Sequence, residues 1–150
     1  MEPGVAFGFL AILLIASIII AVFYLLALQN ALKQVSPGNR TIPPENVWLM
    51  FIPLFNIIYG FIMYPKISES LKAEFESRGN PQQGDYLKGL GIAMPILSIV
   101  GIIPYIGTLT GIANLIIFIV YWVKIAEFTN KLKSTPSGAV AGSSDDLLDA

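Results

Sequence analysis

The sequence predicts an all-α integral membrane protein, a four-helix bundle built from two helical hairpins. Three stretches contain no Lys, Arg, Asp or Glu: residues 3–32, 46–65 and 89–123. A helix needs about 20 apolar residues to cross the hydrocarbon core of a bilayer, so the first two stretches predict one crossing each and the third predicts two. The composition agrees, because 55% of the residues are hydrophobic and only 13% are charged.

The first transmembrane helix is predicted at residues 5–28. Its helical spacing of apolar residues continues to Val35, so it should extend beyond the membrane before Ser36-Pro37-Gly38-Asn39 ends it. The positive region that begins a secretion signal is missing, since Glu2 is the only charge before Lys33. We therefore expect a retained first helix.

The second transmembrane helix is predicted at residues 46–64. Trp48 and Tyr64 stand near its two ends and are expected to anchor it at the headgroup boundaries. Pro53 lacks an amide donor, so a kink is expected there. The helix should continue through residues 66–77, either as a solvated helix end or as a surface that lies against a membrane or a partner.

The third and fourth transmembrane helices are predicted at residues 87–103 and 107–124. Gly101, Pro104 and Gly107 cluster between them and favour a tight turn over one long tilted helix. Pro95 predicts a second kink, within the third helix.

Residues 134–150 are rich in small and polar types and are predicted to form a disordered cytoplasmic tail behind a transmembrane domain at 1–133. Four crossings would place seven Lys and Arg residues on the side of both chain ends, against Lys33 and Arg40 on the other. Because cytoplasmic loops carry the excess of basic residues, we expect both termini in the cytoplasm.

Two intramembrane asparagines share one register. Asn56 lies ten residues before Lys66, and Asn114 lies ten residues before Lys124; Tyr64 and Trp122 coincide in the same alignment. Trp122, Lys66 and Lys124, like Trp48 and Tyr64, are expected to anchor the helices at the membrane interfaces. Ten helical residues span about 15 Å, which places both amides near the bilayer midplane. They are expected either to bond neighbouring helices or to face a small polar cavity formed by two parallel repeats.

Small residues at Gly107 and Gly111 lie on the same face of the fourth helix as Asn114. In membrane proteins such residues allow helices to approach closely, so we expect helix packing there. The spacing does not decide whether the packing is within one chain or between copies.

The segment Val47-Trp48-Leu49-Met50-Phe51-Ile52-Pro53-Leu54-Phe55-Asn56, followed by Lys66-Ile67, resembles uncharacterised small bacterial multi-pass membrane proteins. The segment Tyr121-Trp122-Val123-Lys124-Ile125-Ala126-Glu127 is similar to the end of such proteins. The resemblance covers about a third of the chain and implies a location in the bacterial inner membrane. It implies no reaction.

Cysteine and histidine are both absent, which disfavours haem, zinc and iron–sulfur cofactors and removes the common nucleophiles and bases. A net charge of −1 gives no field that would attract nucleic acid. We therefore expect a non-enzymatic membrane protein without cofactor or metal that acts through assembly, as a homo-oligomer or as an accessory subunit of a membrane complex. The alternative is an oligomeric channel or small-solute transporter lined by Asn56 and Asn114. A membrane enzyme is a third option, limited to the following acids near the interfaces: Glu45, Glu69, Asp85 and Glu127.

Overall fold

The structure is a computed structural model that describes residues 2–136, so most of the predicted tail at 134–150 lies outside the described residues. All regular elements in the described range are helical: α1 (Pro3–Gln34), a single 3₁₀ turn (Pro37–Asn39), an eight-residue 3₁₀ helix (Pro44–Phe51), α2 (Phe55–Ser77), α3 (Lys88–Val100) and α4 (Gly107–Ser134). The predicted all-α class is confirmed for these residues. Two of the helices, α1 and α4, are long and apolar enough to cross a membrane.

The second predicted helix is broken where Pro53 was expected only to bend it. The residue before a proline is driven into extended backbone, and Ile52 accordingly has φ −77° and ψ 112°. Leu54 follows with φ 64°, and the Phe55 amide donates to the Pro53 carbonyl over 2.7 Å, which is a tight three-residue turn. The expectation of one helix over residues 46–64 is therefore wrong: the 3₁₀ helix ends at Phe51 and α2 begins at Phe55.

Three of the four α-helices run in the same direction. Tyr24 of α1 packs against Tyr121 of α4, and nearer the helix ends the Arg78 guanidinium, just after α2, reaches the carbonyls of both Gln34 and Leu132. α1, α2 and α4 thus finish together, at what we call the polar end. α3 runs the opposite way, since it begins beside α2 with Lys88 near Glu69 and reaches Gly60 at Pro95.

The parallel course of α1 and α2 contradicts the first of the two predicted hairpins, whereas α3 and α4 pack antiparallel as the second predicts. The chain returns from the end of α1 through the 3₁₀ helix, so α1 and α2 are not an antiparallel pair. The prediction that both termini lie in the cytoplasm stays a prediction. α1 has 32 residues and is about 48 Å long, so residue 2 lies at the opposite end of the bundle from residue 136.

The helices form a ring in the order α1, α4, α3, α2, and the 3₁₀ helix completes it by packing between α2 and α1. The tightest core lies in the half nearer the polar end, where Leu28, Met63, Ile67, Leu71 and Tyr121 have no exposed surface. Residues 7–20 of α1 are exposed on every face. The bundle is therefore closed at the polar end and opens toward the other.

A buried ion pair ties the polar end together. Glu74 is fully buried, and its carboxylate accepts hydrogen bonds from the amide and hydroxyl of Ser36, the Asn39 amide group and the Arg78 guanidinium, at 2.7–2.8 Å. Burial by itself raises the pKa of Glu74, but the donors outweigh it and hold the pKa below its usual value. Arg78 in turn binds the carbonyls that end α1 and α4, which a helix leaves without partners.

Candidate functional site

A cleft of about 470 Å³ lies inside the ring, on the side of the core away from the polar end. α1, the 3₁₀ helix, α2, α3 and α4 all contribute side chains to it. Its volume falls within the range of about 300–1,000 Å³ typical of small-molecule pockets. We refer to this space as the central cleft.

Asn56 and Asn114 both line the central cleft, from α2 and α4 respectively. Each lies ten residues before a lysine along its helix, about 15 Å in helical rise. The cleft therefore brings together the two asparagines that share a register in the sequence.

The hydrogen bonds around Ser98 fix the orientation of the Asn114 amide. The Ser98 hydroxyl donates its one proton to the Met94 carbonyl at 2.9 Å, so its oxygen is an acceptor on the other side. The Asn114 Nδ2 group donates to that oxygen at 3.1 Å. Asn114 Oδ1 is then a buried carbonyl oxygen with no donor among the described residues. A buried acceptor without a partner costs free energy until a donor reaches it.

The floor of the cleft is formed by aromatic rings, two of which carry tyrosine hydroxyl groups. The hydroxyl groups of Tyr24 and Tyr64 lie 3.1 Å apart, and the Tyr24 ring packs on Phe118 at 4.4 Å. Both tyrosines line the cleft and are buried. One proton is shared between the two hydroxyls, so the second proton of the pair remains available as a donor.

None of the described residues that line the cleft is charged. Its polar groups are the neutral side chains of Ser17, Asn56, Ser98, Asn114, Tyr24 and Tyr64. On the rim, Ile20 and Leu115 are 49% and 58% exposed, whereas Met94 deeper inside is 6% exposed. The cleft thus opens between the exposed apolar surfaces of α1 and α4.

The remaining predicted packing residues are divided between the cleft and the helix turns. Pro95 lines the cleft and stays inside an unbroken α3, whereas Pro53 lies in the break before α2. At Gly107 a Cβ atom would come within 2.5 Å of the Gly101 carbonyl oxygen, so the turn between α3 and α4 needs a glycine. At Gly111 a Cβ atom would meet nothing within 4 Å. Gly111 therefore makes no close helix contact within the described chain, because it borders the open cleft, and packing between copies stays a prediction.

The predicted interfacial anchors occupy different surroundings. Tyr64 is 3% exposed and lies in the core, so it is not a surface anchor. Trp122 is half-buried against Tyr24, and Trp48 is half-buried beside Phe51. Lys124 is exposed and pairs with Glu127 at 3.3 Å, and Lys66 is half-buried.

Sequence reasoning missed three residues of the site. None of Ser17, Tyr24 and Ser98 was singled out from the sequence, because single hydroxyls in apolar runs are common in helices. Ser98 precedes the turn at residues 101–106 and Asn114 follows it, so the fold-back at this turn is the signal that could have paired them. Among residues 2–136 no three His, Cys, Asp or Glu residues are grouped as a metal site would require.

No protein-family model matches this chain, and neither a curated protein nor a solved structure matches it. Over residues 2–136, the fold defines the class as an all-helical protein with two helices able to cross a membrane. The function must therefore be inferred from the residues of this chain.

Proposed function

We propose that this chain is an integral protein of the cytoplasmic membrane in which α1 and α4 cross the bilayer in parallel. All nine Lys and Arg residues lie on the polar-end side of the central cleft, and Glu2 is the one charge near the start of α1. The excess of basic residues favours a cytoplasmic polar end. Residue 2 would then lie on the opposite side of the membrane from residue 136.

The 3₁₀ helix and the first part of α2 would enter the membrane from the polar end and return to it. The Thr41 hydroxyl donates to the Lys66 carbonyl at 2.7 Å. The start of the segment before the 3₁₀ helix and the point where α2 returns therefore lie at the same depth. Backbone other than α-helix is tolerated at membrane depth where protein buries it, and here α1 and α2 pack on both sides of the 3₁₀ helix.

Within the membrane, we propose that the protein is non-enzymatic and binds a small molecule in the central cleft. The observation that carries this proposal is the unpartnered Asn114 Oδ1, buried in a cleft to which every major helix contributes. A convergent set of neutral polar groups in an otherwise apolar pocket is typical of a ligand site. A carrier for small solutes would use the same residues, with Asn56 opposite Asn114.

Occupancy of the cleft can be tested by native mass spectrometry on protein purified from membranes in mild detergent. We expect a one-to-one adduct that is lost in Gly111→Leu, which places a side chain in the open cleft. Gly8→Leu is the matched control, since a Cβ atom there also meets nothing within 4 Å but lies outside the cleft. An adduct that is absent from the wild type, or that persists in Gly111→Leu, would refute the binding function.

A second candidate function, assembly with another copy, is favoured by a separate observation. Residues 7–20 of α1 are exposed on every face within the described chain and carry no charge. A second copy could pack against this uncharged surface without needing a complementary charge.

Cysteine cross-linking distinguishes assembly from simple exposure to lipid, because the chain contains no cysteine of its own. We expect Ile15→Cys to form intermolecular disulfides in membranes faster than Ile119→Cys on α4. The two side chains are similarly exposed, at 57% and 52%. Equal rates would remove the evidence for assembly through α1.

A further inference from the structure

We infer that the central cleft takes a neutral lipid with a free hydroxyl headgroup, of the diacylglycerol class, which enters sideways from the bilayer. This inference rests on the proposed binding function and specifies the ligand. It depends on the charge of the cleft, the buried acceptor that Asn114 leaves open and the position of the mouth of the cleft.

The charge of the cleft selects a neutral ligand. The nearest cations along α2 and α4 are Lys66 and Lys124, ten residues from the two asparagines. A phosphate or ammonium headgroup placed about 15 Å deep would lose its hydration without gaining a counter-ion. Phospholipid headgroups are therefore poorly suited to this site.

The hydrogen-bond arrangement selects a ligand that donates. Asn114 Nδ2 is already bonded to Ser98, and Asn114 Oδ1 has no donor. A hydroxyl group at this point would satisfy Oδ1 and could accept in turn from a tyrosine hydroxyl or from Asn56. An ester or ether without a hydroxyl leaves the acceptor unsatisfied.

The position of the mouth selects a ligand already dissolved in lipid. Ser17, Ile20, Gly111 and Leu115 line the cleft and are all exposed, on the two helices proposed to cross the membrane. The acyl chains could remain in the bilayer between α1 and α4 while the headgroup reaches Asn114. A water-soluble ligand would have to cross this apolar rim.

The test uses the full chain in detergent micelles and three probes, titrated by native mass spectrometry. The probes are 1,2-dioleoylglycerol, its 3-O-methyl ether and dioleoylphosphatidylglycerol. We expect the diacylglycerol to bind one-to-one and at least about tenfold more tightly than the ether, because the ether cannot donate to Oδ1. Phosphatidylglycerol should show no binding that depends on Gly111.

Asn114→Leu should weaken diacylglycerol binding to the level of the ether and abolish the difference between the two, whereas Gly8→Leu should leave it unchanged. The wild-type comparison of the two probes needs no variant, so the test holds even if Asn114→Leu folds poorly. Equal binding of diacylglycerol and ether, or no binding of diacylglycerol, would overturn the inference. A Gly111-dependent adduct of another class would overturn the inference but leave the binding function intact. If no adduct depended on Gly111, both the inference and the proposed binding function would be overturned.

Discussion

The polar end and the central cleft both bury polar side chains, but their hydrogen bonds are complete at the polar end and incomplete in the cleft. At the polar end, Glu74 accepts from Ser36, Asn39 and Arg78, and Arg78 donates to carbonyls of α1 and α4. In the cleft, Asn114 donates to Ser98 and its oxygen accepts nothing from the described residues. A satisfied network holds helices in one arrangement, whereas an open acceptor leaves affinity for another molecule.

The largest loss of stability should come from breaking the buried ion pair at the polar end. Glu74→Ala leaves the Arg78 charge without its partner, which typically costs about 3–5 kcal/mol for a buried pair. The change would be measured as a loss of unfolding free energy in detergent micelles. Glu76→Ala is the control, since its pair with Lys72 is more than half exposed and should contribute about 0–1 kcal/mol. Similar small losses for the two variants would show that the network does not hold the polar end.

The next largest loss of stability is expected at the contact between α2 and α3. A Cβ atom at Gly91 would lie 2.5 Å from the Tyr64 Cβ atom, so Gly91→Ala forces the two helices apart and should cost about 1–3 kcal/mol. At Gly60, on the same pair of helices, an added Cβ atom meets its neighbours at 3.5 Å, an ordinary contact. Gly60→Ala should be neutral or stabilising by up to about 1 kcal/mol. Thermal unfolding of the two variants checks the contrast, and a stable Gly91→Ala protein would contradict it.

A smaller change is expected at the break between the 3₁₀ helix and α2. Leu54 has φ 64° and is 81% exposed, so its backbone is strained and its side chain packs on little. Leu54→Gly should stabilise the protein by about 1 kcal/mol. Ile58→Gly, at an exposed position inside α2, should instead destabilise by about 1 kcal/mol. Destabilisation by both substitutions would indicate that the turn is not strained.

The smallest expected change in stability comes from protonation of Glu74, and it appears only at acid pH. Its pKa in the folded chain is lowered below 4.5, so the unfolded state binds the proton more readily. The stabilisation is complete well above pH 4.5 and is lost as the pH falls through the folded-state pKa. The melting temperature should therefore fall below pH 4.5 more steeply in the wild type than in Glu74→Gln. Parallel curves for the two proteins would place the acid sensitivity elsewhere.

The sequence was sufficient to predict the helical class, the long first helix and the turn between α3 and α4. Uncharged runs and a cluster of Gly and Pro residues are local signals, and they depend little on how helices pack. α1 extends over Pro3–Gln34, beyond the predicted crossing, and α4 starts at Gly107 as predicted.

The direction of α2 could not be predicted in the same way. Residues 46–65 are numerous enough for one crossing, and counting them ignores the possibility that Pro53 divides them into a rising and a returning part. The assumption of a full crossing then reversed the predicted course of α2. It also placed Lys33 and Arg40 apart from the other basic residues, whereas Arg40 binds carbonyls at the end of α1 near the polar end.

The cleft was only partly predictable. The shared ten-residue spacing put Asn56 and Asn114 at one depth, and both line the cleft. Which amide atom lacks a partner depends on Ser98 and the Met94 carbonyl, contacts that arise only when α3 folds back along α4.

The reach of Arg78 imposes an order on biogenesis. Its guanidinium joins Gln34, near the start of the chain, to Leu132 and Thr135, which leave the ribosome about a hundred residues later. The hydrogen bond from Arg78 to the last carbonyl of α1 therefore joins that helix to α4 only once synthesis of α4 is nearly complete.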